Sequence, residues 1–90
     1  MVNIVVADDD EDIRELVAFK LRQAGHEVVA VADGAAALAA SQERRPALML
    51  LDVMMPGMSG LDVVRVLKAD PETSTIPIIM LTARAQEDDI

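Results

Sequence analysis

Short apolar runs alternate along the chain with segments whose apolar residues recur at helical spacing, and this alternation limits the possible folds more than any other feature. The strand-like runs are residues 2–7, 27–32, 48–52 and 78–82. Helix-like segments fill the intervals, and a further one begins at residue 84. Strands that alternate with helices of this length form βαβ units around a parallel sheet. The pattern therefore predicts a single doubly wound α/β domain, and 90 residues allow no more than one domain.

The predicted helices begin and end at residues that suit those positions. Asp10, Asp33 and Ser59 each precede a helical segment, where a side-chain oxygen can accept hydrogen bonds from free backbone N–H groups. Gly25 can adopt the left-handed conformation that ends many helices, and Pro77 opens the fourth strand, where its missing N–H is tolerated. We expect helices from residue 10 or 11 to 24, from 33 to about 45, and from 59 to 67 or 68.

The composition excludes several classes of function. A net charge of −8 and an isoelectric point near 4.3 argue against direct contact with nucleic acid or an anionic membrane, because both need patches of Lys and Arg. The absence of Cys removes disulfides and thiolate metal sites, which fits a reducing cytoplasm. The sequence has no signal region and no apolar run of the roughly 20 residues that a membrane span requires. We expect a cytoplasmic chain.

Acidic residues follow the first and third predicted strands. Asp8 and Asp9 come directly after the first strand, and Asp52 ends the third, whose other residues are all apolar. Ligands bind open α/β sheets at the carboxyl ends of the strands. Close carboxylates repel each other and are tolerated best when a cation neutralises them, and a few hard oxygen donors suit Mg²⁺. These positions indicate a shared cation site at one edge of the sheet.

Other polar or soft residues have simpler interpretations. Thr82 ends the fourth strand as Asp52 ends the third, but Thr is also common within strands. His26 follows a glycine that ends a helix, which indicates a solvated surface residue. The loop after the third strand carries three methionines, which suit core packing first and a partner surface second: Met54, Met55 and Met58.

Three motifs together resemble the receiver (phospho-acceptor) domain of two-component response regulators. They are IVVADDD at residues 4–10, LLDVMMPGMSG at 50–60 and IPIIMLTA at 76–83. Each motif alone is moderately specific, whereas all three in this order and at these intervals are highly specific. The resemblance covers the whole chain. It implies a flavodoxin-like sheet in the order 2-1-3-4 and a signalling domain rather than an enzyme.

The resemblance also implies roles for individual residues. Asp52 would accept a phosphoryl group from a histidine kinase or a phosphotransfer protein. Asp8 and Asp9 would form the acidic pair, and Mg²⁺ would be held by Asp9, Asp52 and the backbone carbonyl of Met54, beside Asp8. Thr82 would be the switch hydroxyl that closes on the phosphoryl group.

The family pattern continues with a fifth strand that ends in a lysine and with a final helix, neither of which occurs in these 90 residues. The sequence is therefore interpreted as a truncated receiver domain over residues 1–90. Without a fifth strand, the apolar fourth strand would form an unprotected edge. This predicts a homo-oligomer or a dimer that exchanges segments.

Alternative functions remain open at the level of sequence. An inactive or self-associating receiver fragment could act only as a protein-interaction module, because the lysine is missing. A Mg²⁺-dependent phosphohydrolase of the aspartyl-phosphate kind usually has a second carboxylate two residues after the nucleophile, where this chain has Met54. A dinucleotide-binding half-domain needs a glycine-rich loop after the first strand, where this chain has acids.

Overall fold

The computed structural model of the chain describes residues 2–81, in which strands and helices alternate in the predicted order. The strands are β1 (Asn3–Ala7), β2 (Glu27–Val31), β3 (Leu48–Asp52) and β4 (Ile78–Leu81). The helices are α1 (Glu11–Gln23), α2 (Gly34–Arg44) and α3 (Gly60–Ala69). Thr82 and the helix expected from residue 84 lie outside the described residues.

The four strands form one parallel sheet in the order β2-β1-β3-β4, which confirms the predicted doubly wound arrangement. β1 and β3 are the central strands, and most of their residues are buried. Ala7 is paired with Leu51, and Asp52 with Leu81. Because all the strands run in the same direction, the residues that follow β1 and those that end β3 and β4 meet at one edge.

Apolar side chains cover both faces of the sheet because successive residues of a strand point to opposite sides. The larger cluster joins β1 and β3 to α2 and α3 and includes Val5, Ala7, Met49, Leu51, Ala37, Ala40, Val63 and Leu67. The smaller cluster lies on the other face and contains Ile4, Val6 and Leu50, with Val17 and Leu21 of α1 packed against it. The sheet is therefore a central layer with α1 on one side and α2 and α3 on the other.

The predicted helix caps are confirmed. The Asp10 carboxylate accepts hydrogen bonds from the N–H groups of Asp12 and Ile13 at 2.9 and 3.2 Å. The Asp33 carboxylate accepts one from the Ala36 N–H at 2.8 Å. Ser59 begins α3 through a capping box, in which its hydroxyl accepts from the backbone of the third helical residue and that residue's carboxylate accepts from the Ser59 N–H.

His26 lies at the surface, as expected, where it is half-buried and makes one hydrogen bond that the sequence did not indicate. Its Nδ1 accepts the Val2 N–H at 3.2 Å. The start of the β1–β2 pairing brings these residues together, since the Glu27 N–H donates to the Val2 carbonyl at 2.9 Å. Local sequence gives no sign of this contact, which joins two strands far apart along the chain. Within residues 2–81, no helix is long and apolar enough to cross a membrane.

Candidate functional site at the edge of the sheet

The sheet brings three carboxylates together at the carboxyl ends of β1 and β3. Asp8 and Asp9 follow β1, and Asp52 is the last residue of β3. One carboxylate oxygen from each of the three lies within 4.8 Å of the others. The structure therefore confirms that the carboxylates of Asp8, Asp9 and Asp52 lie close together, as predicted. This arrangement follows from the parallel pairing of two neighbouring strands.

Asp8 is the buried member of this acidic cluster, with 3% of its surface exposed. Its N–H donates to the Val31 carbonyl of β2 at 3.1 Å. Its carboxylate accepts the Asp10 N–H at 2.9 Å, and its own carbonyl accepts a hydrogen bond from the Arg14 guanidinium at 2.9 Å. Three hydrogen bonds thus fix the backbone at the end of β1. Asp9, the next residue, is exposed.

Asp52 is half-buried, and its pKa is raised from 3.8 to about 6. Burial is the largest cause, because it disfavours the charged form. The negative charge of Asp8 and hydrogen bonding with Asp9 and Asp8 act in the same direction. The Met54 N–H opposes them by donating to the Asp52 carboxylate at 3.2 Å. The surroundings of Asp52 therefore disfavour its charged form.

The first residue of α3 packs directly against the backbone that carries Asp52. The Gly60 N–H donates to the Val53 carbonyl at 2.9 Å. A Cβ atom at Gly60 would overlap the Asp52 carbonyl oxygen and would lie 2.8 Å from Cε of Met80. Only a residue without a side chain allows α3 to begin this close to the end of β3.

The loop between β3 and α3 agrees in part with the sequence interpretation. Met55 is buried in the core, and the half-buried Met58 packs against the core. Met54 is 57% exposed. The methionines therefore divide between core packing and the surface. The structure shows the Met54 N–H bonded to Asp52. The metal-ligand role of the Met54 carbonyl stays a prediction, as does the switch role of Thr82, which lies outside the described residues.

Sequence reasoning missed two residues that shape the site, Arg14 and Gly60. Arg14 lies in the first turn of α1 among acids, and its position there does not show that it reaches the Asp8 carbonyl. Gly60 stands within a recognised motif, yet the motif alone does not show that its missing side chain makes room for Asp52. Both contacts join different secondary-structure elements.

The acidic cluster fits a hard divalent cation. Its donors are carboxylate oxygens, which Mg²⁺ prefers. The ion pairs among residues 2–81 are Arg45–Glu72 and Arg65–Asp62, and neither involves the cluster. Within this part of the chain, the three carboxylates therefore form no ion pair, and the nearby Arg14 guanidinium binds the Asp8 carbonyl instead.

Comparison with known proteins identifies the family. The family model described as the response regulator receiver domain matches residues 4–90. This chain belongs to that family. The receiver domain is 47% identical over 87 residues to the DNA-binding response regulator MtrA of Mycolicibacterium smegmatis, covering 97% of this chain and 37% of MtrA. It is 46% identical over 85 residues to the phosphate regulon transcriptional regulatory protein PhoB of Pseudomonas aeruginosa, covering 94% of this chain and 37% of PhoB.

Solved receiver structures show the same fold. The receiver domain of sensor histidine kinase PA1611 from Pseudomonas aeruginosa PAO1, which has a magnesium ion coordinated in its active-site cleft, matches with a TM-score of 0.89 at 30% identity. That match covers 98% of this chain and 72% of the PA1611 domain. The flavodoxin-like receiver fold is thus confirmed. The chain spans little more than a third of the length of MtrA and PhoB.

Proposed function

We propose that this receiver domain accepts a phosphoryl group on Asp52 and thereby acts as a switch in two-component signalling. The convergence of Asp8, Asp9 and Asp52 at one edge of the sheet carries the proposal. An Asp52 carboxylate oxygen would attack phosphorus while the bond from phosphorus to the donor's histidine nitrogen breaks. The product is an acyl phosphate, and the bonding electron pair remains on the departing nitrogen.

We infer that Mg²⁺ is the cofactor, held by Asp9, Asp52 and the Met54 carbonyl, with Asp8 beside them. The ion would neutralise charge on the transferring phosphoryl group. The protein's contribution is to keep its carboxylates within reach of one cation and to fix Asp8 through its hydrogen bonds. Burial raises the pKa of Asp52 to about 6, and a bound cation would favour the ionised carboxylate that attacks phosphorus. Thr82 would then bind the phosphoryl oxygens as the switch hydroxyl.

The proposed phosphodonor is a histidine kinase or a phosphotransfer protein in the cytoplasm. MtrA is named a DNA-binding response regulator, but this chain spans only 37% of its length. A net charge of −8 makes contact between this segment and nucleic acid unfavourable. We therefore propose that any DNA binding of the longer relatives resides outside the matched segment, and that the receiver domain supplies the switch.

The proposal is tested by incubating the chain with Mg²⁺ and acetyl phosphate and then measuring its intact mass. We expect a single phosphoryl adduct that maps to Asp52 and is absent from Asp52→Asn. Asp12→Asn is the matched control, since Asp12 is an exposed acid outside the cluster, and it should retain the adduct. Mg²⁺ binding without any adduct would overturn the proposal in favour of an interaction module that is not phosphorylated.

The outer edge of β4, as residues 2–81 show it, supports a second role, self-association. Within residues 2–81, β4 pairs with β3 alone, and Ile79 of β4 is 52% exposed. An apolar edge strand without charges can pair with a second copy. We propose a homo-oligomer or segment-exchanged dimer that forms through β4. Ile79→Lys should shift size-exclusion elution towards the monomer, whereas a wild-type chain that stays monomeric at high concentration would exclude this role.

A further inference from the structure

Arg14 makes a contact with the acidic site that its position in α1 does not reveal. Its guanidinium Nη1 donates to the backbone carbonyl of Asp8 at 2.9 Å, and both groups are partly buried. The Arg14 N–H donates to the Asp10 carbonyl at 2.9 Å within the first turn of the helix. One residue therefore holds the loop between β1 and α1 at two points, once by its side chain and once by its backbone.

The carbonyl that Arg14 binds belongs to the peptide unit joining Asp8 to Asp9. Asp8 has further restraints, because its N–H and its carboxylate are also hydrogen-bonded. Asp9 is exposed, and no N–H group in the described part of the chain donates to its carboxylate. Its side chain contacts that of Asp52, and its backbone sets the point from which the carboxylate reaches into the cluster. The Asp8–Asp9 peptide is the part of that backbone that Arg14 restrains.

We propose that Arg14 is a positioning residue for the acidic cluster, which it serves by fixing the Asp8–Asp9 peptide. This inference rests on the proposed function, in which Asp9 ligates Mg²⁺. The ion pairs of residues 2–81 do not include Arg14, so its guanidinium acts through the carbonyl and not as the partner of a carboxylate. Groups that orient metal ligands in this way commonly change metal affinity by about 10–100-fold when they are removed.

The same helix supplies a matched control. Arg22, near the end of α1, donates from its guanidinium to the backbone carbonyl of Val28 in β2 at 3.0 Å. Like Arg14, it is a guanidinium that binds a backbone carbonyl six residues away, but this contact is exposed and lies at the opposite end of the helix from the acids. Arg14→Ala and Arg22→Ala therefore each remove one hydrogen bond from a guanidinium to a carbonyl, and only the Arg14 bond holds the site.

The first measurement uses the complete chain without metal and follows amide hydrogen exchange by NMR. In the wild-type chain, the Asp10 N–H is hydrogen-bonded to the Asp8 carboxylate. We expect Arg14→Ala to exchange this proton several-fold faster, because the preceding peptide has lost its restraint. Arg22→Ala should leave the Asp10 rate unchanged. Equal Asp10 exchange in the wild type and Arg14→Ala would overturn the inference without touching the proposed function.

The second measurement is a titration with Mg²⁺ in the absence of any phosphodonor, followed by amide chemical shifts. Arg14→Ala should weaken binding by about 10–100-fold. Arg14→Lys, which keeps a cationic donor on a long side chain, should recover part of that loss. Arg22→Ala should bind Mg²⁺ like the wild type.

The outcomes separate this inference from the function on which it rests. If the wild type and Arg14→Ala bind Mg²⁺ equally, or if Arg22→Ala is weakened as much, the positioning role is wrong and the proposed function stands. If the wild-type chain binds no Mg²⁺, both are overturned. Should Arg14→Ala fail to fold, Arg14→Lys gives the comparison, and Mg²⁺ binding by Arg14→Lys weaker than that of Arg22→Ala would support the role.

Discussion

Replacing Gly60 with alanine should displace the backbone that carries Asp52. Gly60 is the first residue of α3, and a Cβ atom there would overlap the Asp52 carbonyl oxygen and lie 3.0 Å from the Asp52 carbonyl carbon. These atoms belong to the backbone of a central strand and cannot rotate away as the end of a side chain can. Either the start of α3 or the end of β3 must therefore move.

The expected loss of stability is the difference between two effects. Forcing a methyl group into a packed interior typically costs about 1–3 kcal/mol. Replacing Gly with Ala in a helix gains up to about 1 kcal/mol, and less at the first helical residue. The free energy of unfolding should consequently fall by about 1–2 kcal/mol. For a domain of this size, each kcal/mol corresponds to roughly 4–8 °C in Tm.

Gly34→Ala is the matched control because Gly34 is the first residue of α2 and is also crowded, although its shortest contacts are to side chains. A Cβ atom there would lie 2.7 Å from Cβ of Met58 and 2.9 Å from Cγ2 of Val63, and it would not touch Asp52. Both variants should lose stability in urea unfolding. Only Gly60→Ala should also weaken Mg²⁺ binding and slow phosphorylation by acetyl phosphate.

Two results would refute this reasoning about Gly60. If Gly60→Ala is as stable as the wild type, the contact with the Asp52 carbonyl does not restrict this position. If both alanine variants weaken Mg²⁺ binding to the same extent, the effect on the site is a general consequence of lower stability. A Gly60-specific loss of affinity, by contrast, would show that close packing at the start of α3 positions Asp52.

Three further predictions concern the pH response and two structural hydrogen bonds. The raised pKa of Asp52 means that the folded chain binds this proton more tightly than the unfolded chain does. In the absence of metal, protonation of Asp52 therefore adds to the free energy of unfolding. This contribution is fully present below pH 3.8 and is lost as pH rises through about 6. Because solvent screens this half-buried group, we expect the free energy of unfolding in urea to change by only about 1 kcal/mol over this pH range, and we expect Asp52→Asn to abolish the change. If Asp52→Asn keeps the pH dependence of the wild type, Asp52 is not the group responsible. Ser59→Ala breaks the capping box and should lower the free energy of unfolding by about 1 kcal/mol. The circular dichroism of the folded chain should stay the same, and helical signal should be lost only when the chain begins to unfold. Thr73→Val keeps the shape of a buried side chain but removes its hydroxyl, which donates to the Leu67 carbonyl at 2.8 Å; we expect a loss of about 1–2 kcal/mol in urea unfolding, and an unchanged midpoint would show that water replaces the bond.

The features that the sequence predicted well depend on short stretches of chain. Asp10, Asp33 and Ser59 cap helices because each lies within three residues of the N–H groups it binds. The strands were predicted from their apolar runs, the parallel sheet from the alternation of elements, and the order of the strands from the family resemblance. Confirmation of the order β2-β1-β3-β4 also explains why Asp8 and Asp52 meet, since β1 and β3 are parallel neighbours.

Other properties depend on contacts between elements that are distant in the sequence. His26 lies at the surface as expected, but its hydrogen bond with the Val2 N–H exists only because β1 pairs with β2. The pKa of Asp52 rises mainly through burial, which depends on the elements that pack around the end of β3. No local pattern predicts the amount of solvent that such packing leaves around a carboxylate.

The sequence by itself determined the order of the elements, the residues that begin the helices and the acids that follow the central strands. Only the tertiary structure decided how those acids are held. It placed the Arg14 guanidinium on the Asp8 carbonyl and the start of α3 against the Asp52 backbone, where only glycine fits. The physical reason is distance: capping and periodicity act over a few residues, whereas close packing and burial depend on every element that surrounds the site.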